Sequence, residues 1–472
     1  MKHLTKLLFT LLVFCYSTIS AHANDGYTTV NSIEELQKII KKDGVKVRLT
    51  PGEYTIDSKK YVSSSKYDQY KNGKLLDTKF EVCALLHFSG SNNTVDMSGA
   101  MINVDTEILG QFGFIEFAEA LISGDDNHIK GLKLVDYGNH TPGKGSNSVY
   151  LMGDRNTLEE ADIFAEGSSP YGYGHLLGKG AGSMVKLRKH CVLLIAGVDS
   201  KVLNSKFVSY AYGHGIYLQG SVNTLIEGCI VEGKMRSTNE MLAETSGLAF
   251  DAEFKTLYHP GYIVPNEMKA LSEDAYRIYA SGVNGRRTVG LNVVNCTAIR
   301  MRTGFDVSLG SAEGDLNISG CEAIECQFGY SLNSGAVVKD CKSDMVYGPI
   351  LTFPYNSANG SKVDLTITKG ESDHPYARAA EINGANHEIV IRAAEGVKSE
   401  LPIVLGESFR GDVAIFRNTA TDLSKVSGSR NVKLVNESGL PIVVNERNSN
   451  SEISTNGAID DQGVATKVTK LN

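Results

Sequence analysis

The stretch 199–233, DSKVLNSKFVSYAYGHGIYLQGSVNTLIEGCIVEG, decides the fold because it contains two turns of one repeat. Apolar or small residues of the first turn recur 24 residues later in the second: Val202 and Ile226, Ser205 and Cys229, Phe207 and Val231. Between the two turns lies the run 210–215, YAYGHG, which is rich in aromatic and titratable groups. A period of this length predicts a solenoid in which each coil contains short strands.

The same pattern recurs along most of the chain as a polar turn followed by ψ-x-x-ψ-x-ψ, where ψ is an apolar or small residue. The repeats begin at Ile129, Leu158, Val202, Ile226, Val293, Ile318 and Val338. Spacings of 24, 25 and 20 residues are too short for helical-hairpin repeats and suit three short strands per coil. Weaker copies predict strands at 363–367, 387–391, 412–416 and 431–435.

Four cysteines support this register because each occupies the middle ψ position of its repeat. They are Cys229, Cys296, Cys321 and Cys341. One residue type at one place in successive coils predicts an interior stack, with neighbours roughly 4.8 Å apart. The stack could consist of small buried thiols or contain disulfides. A zinc site is disfavoured, since neither a CxxC motif nor a nearby histidine pair is present.

The segment 32–42 predicts a short helix that closes the open end of the solenoid. Ser32 and Glu35 form a capping box, and Gly44 ends the helix. An alternating strand at 45–49 and a Thr-Pro-Gly-Glu turn follow. Such a helix would cover the apolar cross-section that a solenoid otherwise exposes.

Residues 1–23 have the features of a secretory signal peptide. Lys2 and Lys6 form a basic start, 7–16 is a short apolar core, and cleavage is expected after Ala23. The core is too short to span a bilayer, and we predict no membrane span elsewhere. The chain is therefore expected to be secreted or periplasmic. Its formal net charge of −7 argues against binding to nucleic acid.

We predict a single β-helix domain over 24–446, followed by a polar, loose C-terminal tail over 447–472. Two long insertions interrupt the coils, at 167–190 and at 236–287, and the second is expected to contain a helix over 265–279. Loops that project from one face of a solenoid usually shape its binding cleft. We therefore expect both insertions to flank one groove.

A signal peptide, a capping helix, PGEY and stacked coils resemble the pectin-lyase-like superfamily. The resemblance implies an all-β fold: a single-stranded right-handed parallel β-helix solenoid with a short N-terminal capping helix and two long loop insertions. It also implies a secreted carbohydrate-active enzyme, such as a polysaccharide lyase, uronan epimerase or glycoside hydrolase, although some members are adhesins. The element 213–215, GHG, is similar to that of polygalacturonases, but their cluster of catalytic aspartates upstream is absent here.

A basic segment of this acidic chain is the candidate site. Between 167 and 226, six Lys and Arg residues accompany one acid, Asp199. Counting along the repeats aligns Lys189 with Tyr212 on the next coil and places Arg302 beside Ala211. A cationic, tyrosine-lined groove suits an anionic, uronic-acid-containing polysaccharide as partner.

We predict cleavage by β-elimination, with four catalytic residues. Arg302 pairs with the substrate carboxylate, His214 removes the C5 proton as general base, and Tyr212 and Lys189 assist. The predicted substrate-binding residues are His190, Tyr217, Lys234, Arg236 and Arg300.

Three other functions remain open at this stage. A uronan C5-epimerase shares the first step, a glycoside hydrolase could use Asp251, Glu253 and Asp306, and an adhesin would need no catalytic residue. No cofactor is required, although Asp306, Glu227 and Glu232 could bind Ca²⁺. The chain is expected to act as a monomer.

Overall fold

The computed structural model describes residues 26–58, 71–74, 81–111, 116–138, 145–168, 171–177, 188–251, 253, 265–280, 285–307, 313–372, 376–408 and 427–471. The predicted signal peptide 1–23, the predicted strand 412–416 and much of the first insertion lie outside these residues.

The chain winds into a parallel β-helix, whose coils each pass through up to three strand columns. Columns A and B belong to one sheet of 23 strands, and column C is a sheet of 14 strands among the described residues. The strand Ala336–Ser343 belongs to both A and B and joins them. Successive coils pair in parallel, so each column is a ladder that runs along the solenoid. At the start of column C, Lys71–Lys74 instead pairs antiparallel with Glu81–Phe88.

The remaining bounds are as follows. Column A contains Thr28–Val30, Lys46–Leu49, Thr94–Asp96, His128–Lys130, Thr157–Glu159, Lys201–Leu203, Val222–Glu227, Val289–Val294, Glu313–Ser319, Lys362–Ile367, Glu388–Ala393, Lys433–Asn436, Glu452–Thr455 and Lys467–Lys470. Column B contains Gly52–Ile56, Ala100–Asp105, Lys133–Tyr137, Asp162–Ala165, Lys206–Ser209, Ile230–Glu232, Thr297–Ile299 and Glu322–Ile324. Column C contains Lys71–Lys74, Glu81–Phe88, Glu116–Ile122, Ser146–Leu151, His190–Ile195, Ile216–Gln219, Asp274–Tyr279, Thr303–Asp306, Phe328–Ser331, Leu351–Thr352, Ala380–Ile382, Ile403–Leu405, Ile442–Val444 and Ile459–Asp461.

Several short strands and helices lie outside the three columns. The strands Met235–Ser237 and Met268–Ala270 form an antiparallel pair, and Gly384–Ala385, Ser429–Arg430 and Asn448–Ser449 form a small parallel sheet. The helices whose bounds fall within the described residues are Ile33–Ile39, Ile108–Gln111, Thr238–Leu242 and Leu248–Asp251. Ser32 accepts a hydrogen bond from the Glu35 backbone, and Leu36 is fully buried, so the predicted capping helix is confirmed.

The repeat pattern places its apolar residues inside the coil. Strand side chains alternate between two faces, so equivalent inward positions stack from coil to coil. Val202, Ile226, Val293, Ile318 and Val338 pair in that order. All five are buried in one continuous core.

The cysteine stack is also confirmed, and it consists of thiols rather than disulfides. The backbone N–H of Cys229 points to the sulfur of Cys296 at 3.4 Å, and the same contact links Cys296 to Cys321 and Cys321 to Cys341. All four are buried and unpaired as disulfides. They therefore serve as small core side chains.

Cys229→Ala is expected to lower the free energy of unfolding by about 1 kcal/mol, because truncating a buried side chain leaves a small cavity. Urea denaturation of the parent and the variant measures the difference. An unchanged midpoint and slope would show that the sulfur contributes nothing to core packing.

One predicted element is wrong. Residues 265–279 form the strands Met268–Ala270 and Asp274–Tyr279 and not a helix. Tyr276 and Ile278 point into the core, and their strand lies between Ile216–Gln219 and Thr303–Asp306 in column C. The gain from extending the ladder and burying two large side chains exceeds the helix propensity of the segment.

The strand Asp274–Tyr279 belongs to a coil that the sequence analysis did not predict. This additional coil changes the register that the sequence suggests for Arg302. Its backbone N–H donates to the carbonyl of Glu273, and Glu273 in turn donates to Gly213. Arg302 therefore lies one coil beyond the predicted position beside Ala211.

The C-terminal segment is ordered, and the prediction of a loose tail is wrong. Glu452–Thr455 and Lys467–Lys470 extend column A, and Ile459–Asp461 extends column C. Polar side chains suit these strands because the last coils bury little of their outer surface.

Both insertions leave the solenoid at the same corner, between columns B and C. The first follows Asp162–Ala165, and the second follows Ile230–Glu232. They pack on each other through Leu176, Leu177, Met241 and Leu271. The second insertion is thus 233–273 and is separated from the loop 280–288 by a strand of column C.

Candidate functional site

An open cleft of about 240 Å³ lies on the outer face of column C, beside this corner. Its lining combines polar and aromatic side chains: Glu116, Ser146, Asn147, Lys189, Cys191, His214, Tyr217, Gln219 and Tyr279, with Gly145. Five adjacent coils contribute, so the β-helix itself positions the lining.

Backbone pairing places His214 in the floor of the cleft. The His214 carbonyl accepts from Val192 on one side, and Gly215 donates to Asp274 on the other. A Cβ on Gly213 would collide with the His190 carbonyl. The glycine next to His214 therefore allows the coils to approach closely enough to hold the imidazole between them.

The imidazole of His214 has a defined partner on each nitrogen. Nε2 lies 2.8 Å from the hydroxyl of Tyr279, and Nδ1 lies 3.3 Å from Oδ2 of Asp274. The Asp274 backbone N–H also approaches Nδ1, at 3.4 Å. Nε2 also lies 3.4 Å from Oε2 of Glu273, so each nitrogen faces one buried carboxylate. We assign the hydrogen to Nδ1 and the lone pair to Nε2, because the neutral Tyr279 hydroxyl is the nearest group to Nε2 and can donate to it.

Two buried carboxylates next to His214 are balanced by two cations. Glu273 contacts the ammonium of Lys189 at 2.6 Å and the guanidinium of Arg302 at 3.2 Å. Asp274 accepts two hydrogen bonds from the Arg302 Nη2, at 2.8 and 2.9 Å. Burial alone would raise the pKa values of both carboxyls, but the surrounding cations and His214 lower them well below their ordinary values.

The stability of the protein should therefore fall at acidic pH. Depressed pKa values in the folded state contribute stability above the ordinary values of 4.5 for Glu273 and 3.8 for Asp274. That contribution is lost as the pH falls through the lower, folded-state values. Urea denaturation of the parent and of Glu273→Gln from pH 7 downward measures it, and we expect the stability difference between the two proteins to shrink as the pH falls below 4.5. Parallel curves over the whole range would contradict the assignment.

Aromatic residues form the rest of the cleft around His214. The ring centroids of Tyr217 and Tyr279 lie 5.6 and 5.7 Å from that of His214. The Tyr217 hydroxyl donates to Asn147 at 2.8 Å. Burial raises the pKa of the Tyr279 phenol, and Glu273 and Asp274 add to the effect against the opposing charge of Arg277. Tyr279 is thus a neutral proton donor at physiological pH.

The structure brings three of the four predicted catalytic residues together. His214 is in the cleft floor, Lys189 lines the cleft with 34% of its side chain exposed, and Arg302 lies behind them, 11% exposed and ion-paired. Tyr212 aligns with Lys189, as the sequence predicts, and the Lys189 ammonium lies 5.1 Å above its ring. The Tyr212 side chain is buried below the cleft surface.

The predicted substrate-binding residues are more scattered. Tyr217 lines the cleft, whereas His190 is fully buried inside the solenoid. Lys234 lies over the ring of Tyr210 at 5.3 Å. The other two form ion pairs, Arg236 with Glu244 and Arg300 with Glu232.

The residues proposed for Ca²⁺ or hydrolysis are likewise apart. Asp306 pairs with Arg277 on column C, while Glu232 lies on column B and contacts Lys206 at 3.2 Å. Asp251 and Glu253 are exposed in the second insertion.

Sequence reasoning missed Glu273, Asp274 and Tyr279. All three fall within or beside the segment assigned to a helix. The signal that could have found them is the alternation of Tyr276 and Ile278, which is that of a column-C strand.

No family model and no curated protein matches this chain. Among solved structures, it is similar to the alginate lyase AlyF-OU02 in complex with G6, at 15% identity and a TM-score of 0.42, over 89% of this chain and 84% of that one. A PL6 alginate lyase in complex with a trisaccharide gives 14% identity and a TM-score of 0.44, over 95% of this chain and 86% of that one. The A-module of the mannuronan C-5 epimerase AlgE6 from Azotobacter vinelandii gives 10% identity and a TM-score of 0.36, over 94% of this chain and 97% of that one. At such identities and TM-scores, the function of this chain has to be inferred from its own residues.

Among the described residues, no helix is both long and apolar enough to cross a membrane.

Proposed function

We propose that this protein is a secreted or periplasmic polysaccharide lyase that cleaves a uronic-acid polymer by β-elimination in the cleft around His214. One observation carries the proposal: a hydrogen-bonded His214–Tyr279 pair and the partly exposed side chain of Lys189 line the same open cleft. Together they supply a base, an acid and a positive charge, which are the three groups that this reaction needs.

Lys189 is the cation that neutralises the substrate carboxylate. Its side chain lines the cleft, is one-third exposed and, among the described residues, forms an ion pair with Glu273 alone, whereas Arg302 is largely buried and its guanidinium is shared between Glu273 and Asp274. A positive charge next to the carboxylate stabilises the negative charge that develops when the C5 proton leaves. Arg302 then acts as a positioning residue that holds the two carboxylates.

His214 removes the C5 proton through Nε2, and the electrons of the C5–H bond form the C4–C5 double bond. The C4–O4 bond breaks, and the departing oxygen takes the proton of the Tyr279 hydroxyl. The imidazolium that forms lies 3.4 Å from Glu273 and 3.3 Å from Asp274, so the two anions stabilise it. The proton on His214 then passes to the Tyr279 oxygen, 2.8 Å away, or to water.

The two carboxylates next to His214 do not suit hydrolysis. A glycoside hydrolase needs one carboxyl with a raised pKa to protonate the leaving group. Glu273 and Asp274 instead have lowered pKa values and are held by cations. Epimerisation is the second candidate, because it begins with the same proton removal and Tyr279 could return a proton to C5.

A panel of polymers tests the proposal. The mature protein is incubated with homopolymers of mannuronate, guluronate, galacturonate and glucuronate and with a neutral glucan. We expect the ultraviolet absorbance of the unsaturated uronate to rise with at least one uronan and not with the glucan. Reducing ends without this absorbance would indicate a hydrolase, and binding without any new product would indicate an adhesin.

Lys189→Gln is expected to lower kcat on the active polymer by about 10²-fold, because it removes a charge that acts most strongly in the transition state. The matched control is Lys201→Gln, an exposed lysine on column A, which should leave kcat unchanged. Equal kcat values for the two variants would exclude Lys189 as the neutralising cation.

A further inference from the structure

A second cluster of titratable side chains lies inside the solenoid, at the corner below the cleft. Glu119, Asp136 and His190 come from three different strands and are all fully or almost fully buried. Nε2 of His190 lies 3.5 Å from an oxygen of Glu119 and 3.5 Å from Oδ2 of Asp136. One donor atom from each residue lies within 4.8 Å of the other two.

The hydrogen bonds around this cluster leave negative charge uncompensated. Oδ2 of Asp136 accepts from the backbone N–H groups of residues 166 and 167, at 2.9 and 3.1 Å. Both carboxylate oxygens of Glu119 and Oδ1 of Asp136 are buried with no hydrogen-bond partner among the described residues. Burying carboxylates without partners is costly, so the site must take up either a cation or a proton.

A proton is the alternative to a metal. Burial, followed by the charge of Asp136, raises the pKa of Glu119 well above its ordinary value. In a metal-free chain, Glu119 would therefore hold a proton. A divalent cation would displace that proton, because metal ligands bind in their deprotonated form.

We propose that Glu119, Asp136 and His190 bind one divalent transition-metal ion of the zinc type, with the hydroxyl oxygen of Ser148 as the fourth donor. Ligands on a tetrahedral ion at 2.0–2.1 Å lie roughly 3.4 Å from one another, which agrees with the two separations of 3.5 Å. The Ser148 hydroxyl lies 2.9 Å from the same nitrogen, Nε2 of His190.

The donor set determines the class of metal. An imidazole with two carboxylates suits zinc and its neighbours, whereas Ca²⁺ and Mg²⁺ prefer oxygen ligands only. Ser146 lies 2.7 Å from Nδ1 of His190 and can accept its hydrogen, which orients Nε2 toward the carboxylates. Four protein donors in a sealed interior describe a structural site rather than a catalytic one.

Metal analysis of the untagged mature protein tests the proposal. The protein is produced with zinc in the medium and dialysed into metal-free buffer, and its metal content is measured by mass spectrometry. We expect about one zinc ion per chain. Glu119→Gln and Asp136→Asn should lower this content at least tenfold, and His128→Gln, which alters a half-exposed histidine on column A, should keep it.

A second measurement on the parent protein does not depend on how the variants fold. The chain is unfolded in denaturant with a chelator, freed of both, and refolded with or without added zinc. We expect a higher Tm after refolding with zinc, because an ion that binds only the folded state stabilises it. A parent with less than about a tenth of an equivalent of any divalent metal, and with the same Tm in both preparations, would overturn the proposal in favour of a protonated Glu119.

Discussion

His214→Gln is expected to reduce kcat/KM for uronan cleavage by about 10²- to 10⁴-fold, the usual contribution of a general base. Glutamine can still accept a hydrogen bond from Tyr279 but cannot take up the C5 proton. The loss should therefore fall on kcat more than on KM, because proton removal belongs to the transition state. Initial rates of ultraviolet absorbance on the best polymer of the panel provide both constants.

The matched control for this substitution is His128→Gln. His128 lies on column A, 2.7 Å from Glu159, and 45% of its side chain is exposed. It should keep the parental rate, and both variants should keep the parental far-ultraviolet circular dichroism. A His214→Gln enzyme with a rate within about twofold of the parent would move the base elsewhere.

Asp274→Asn is expected to lower the free energy of unfolding by about 3–5 kcal/mol, the usual cost of removing one partner of a buried ion pair. The substitution leaves Arg302 with a neutral amide in place of the carboxylate that its Nε and Nη2 contact at 2.8 to 3.2 Å. It also removes the acceptor that fixes the hydrogen of His214 on Nδ1. Cleavage should therefore slow down even where the variant is fully folded.

Asp162→Asn is the matched control for stability. Asp162 contacts Lys133 at 2.8 Å on column B, but both side chains are about two-fifths exposed. Exposed pairs of this kind contribute roughly 0–1 kcal/mol. Urea denaturation of both variants tests the difference, and a similar loss in the two would mean that the Asp274–Arg302 pair is not specially stabilising.

The fold could be predicted from the sequence because a solenoid repeats the same local rule. Each inward side chain packs against the equivalent side chain of the next coil. The common repeat position of Cys229, Cys296, Cys321 and Cys341 was therefore enough to predict that they stack. Register between adjacent coils also follows from counting, as the alignment of Lys189 with Tyr212 demonstrates.

The candidate site could be predicted only in part, because the coil that contains Asp274–Tyr279 follows a long insertion and was not recognised as a coil. The strand Asp274–Tyr279 has only six residues, and its period-2 pattern is outweighed by helix-forming residues before it. Without that strand, the sequence showed the cations Lys189 and Arg302 but not the carboxylates Glu273 and Asp274 that balance them. The charge balance of the site therefore depends on two carboxylates that belong to this unpredicted coil.

The most direct test of β-elimination is the mass of the products from one defined uronan oligosaccharide. The account predicts that the masses of the two fragments add up to that of the starting oligosaccharide, and that His214→Gln yields almost none of either. Hydrolysis would add one water molecule per cleavage, and epimerisation would leave the chain intact at its original mass. Either result with the parent protein would contradict the assignment of this cleft to a lyase.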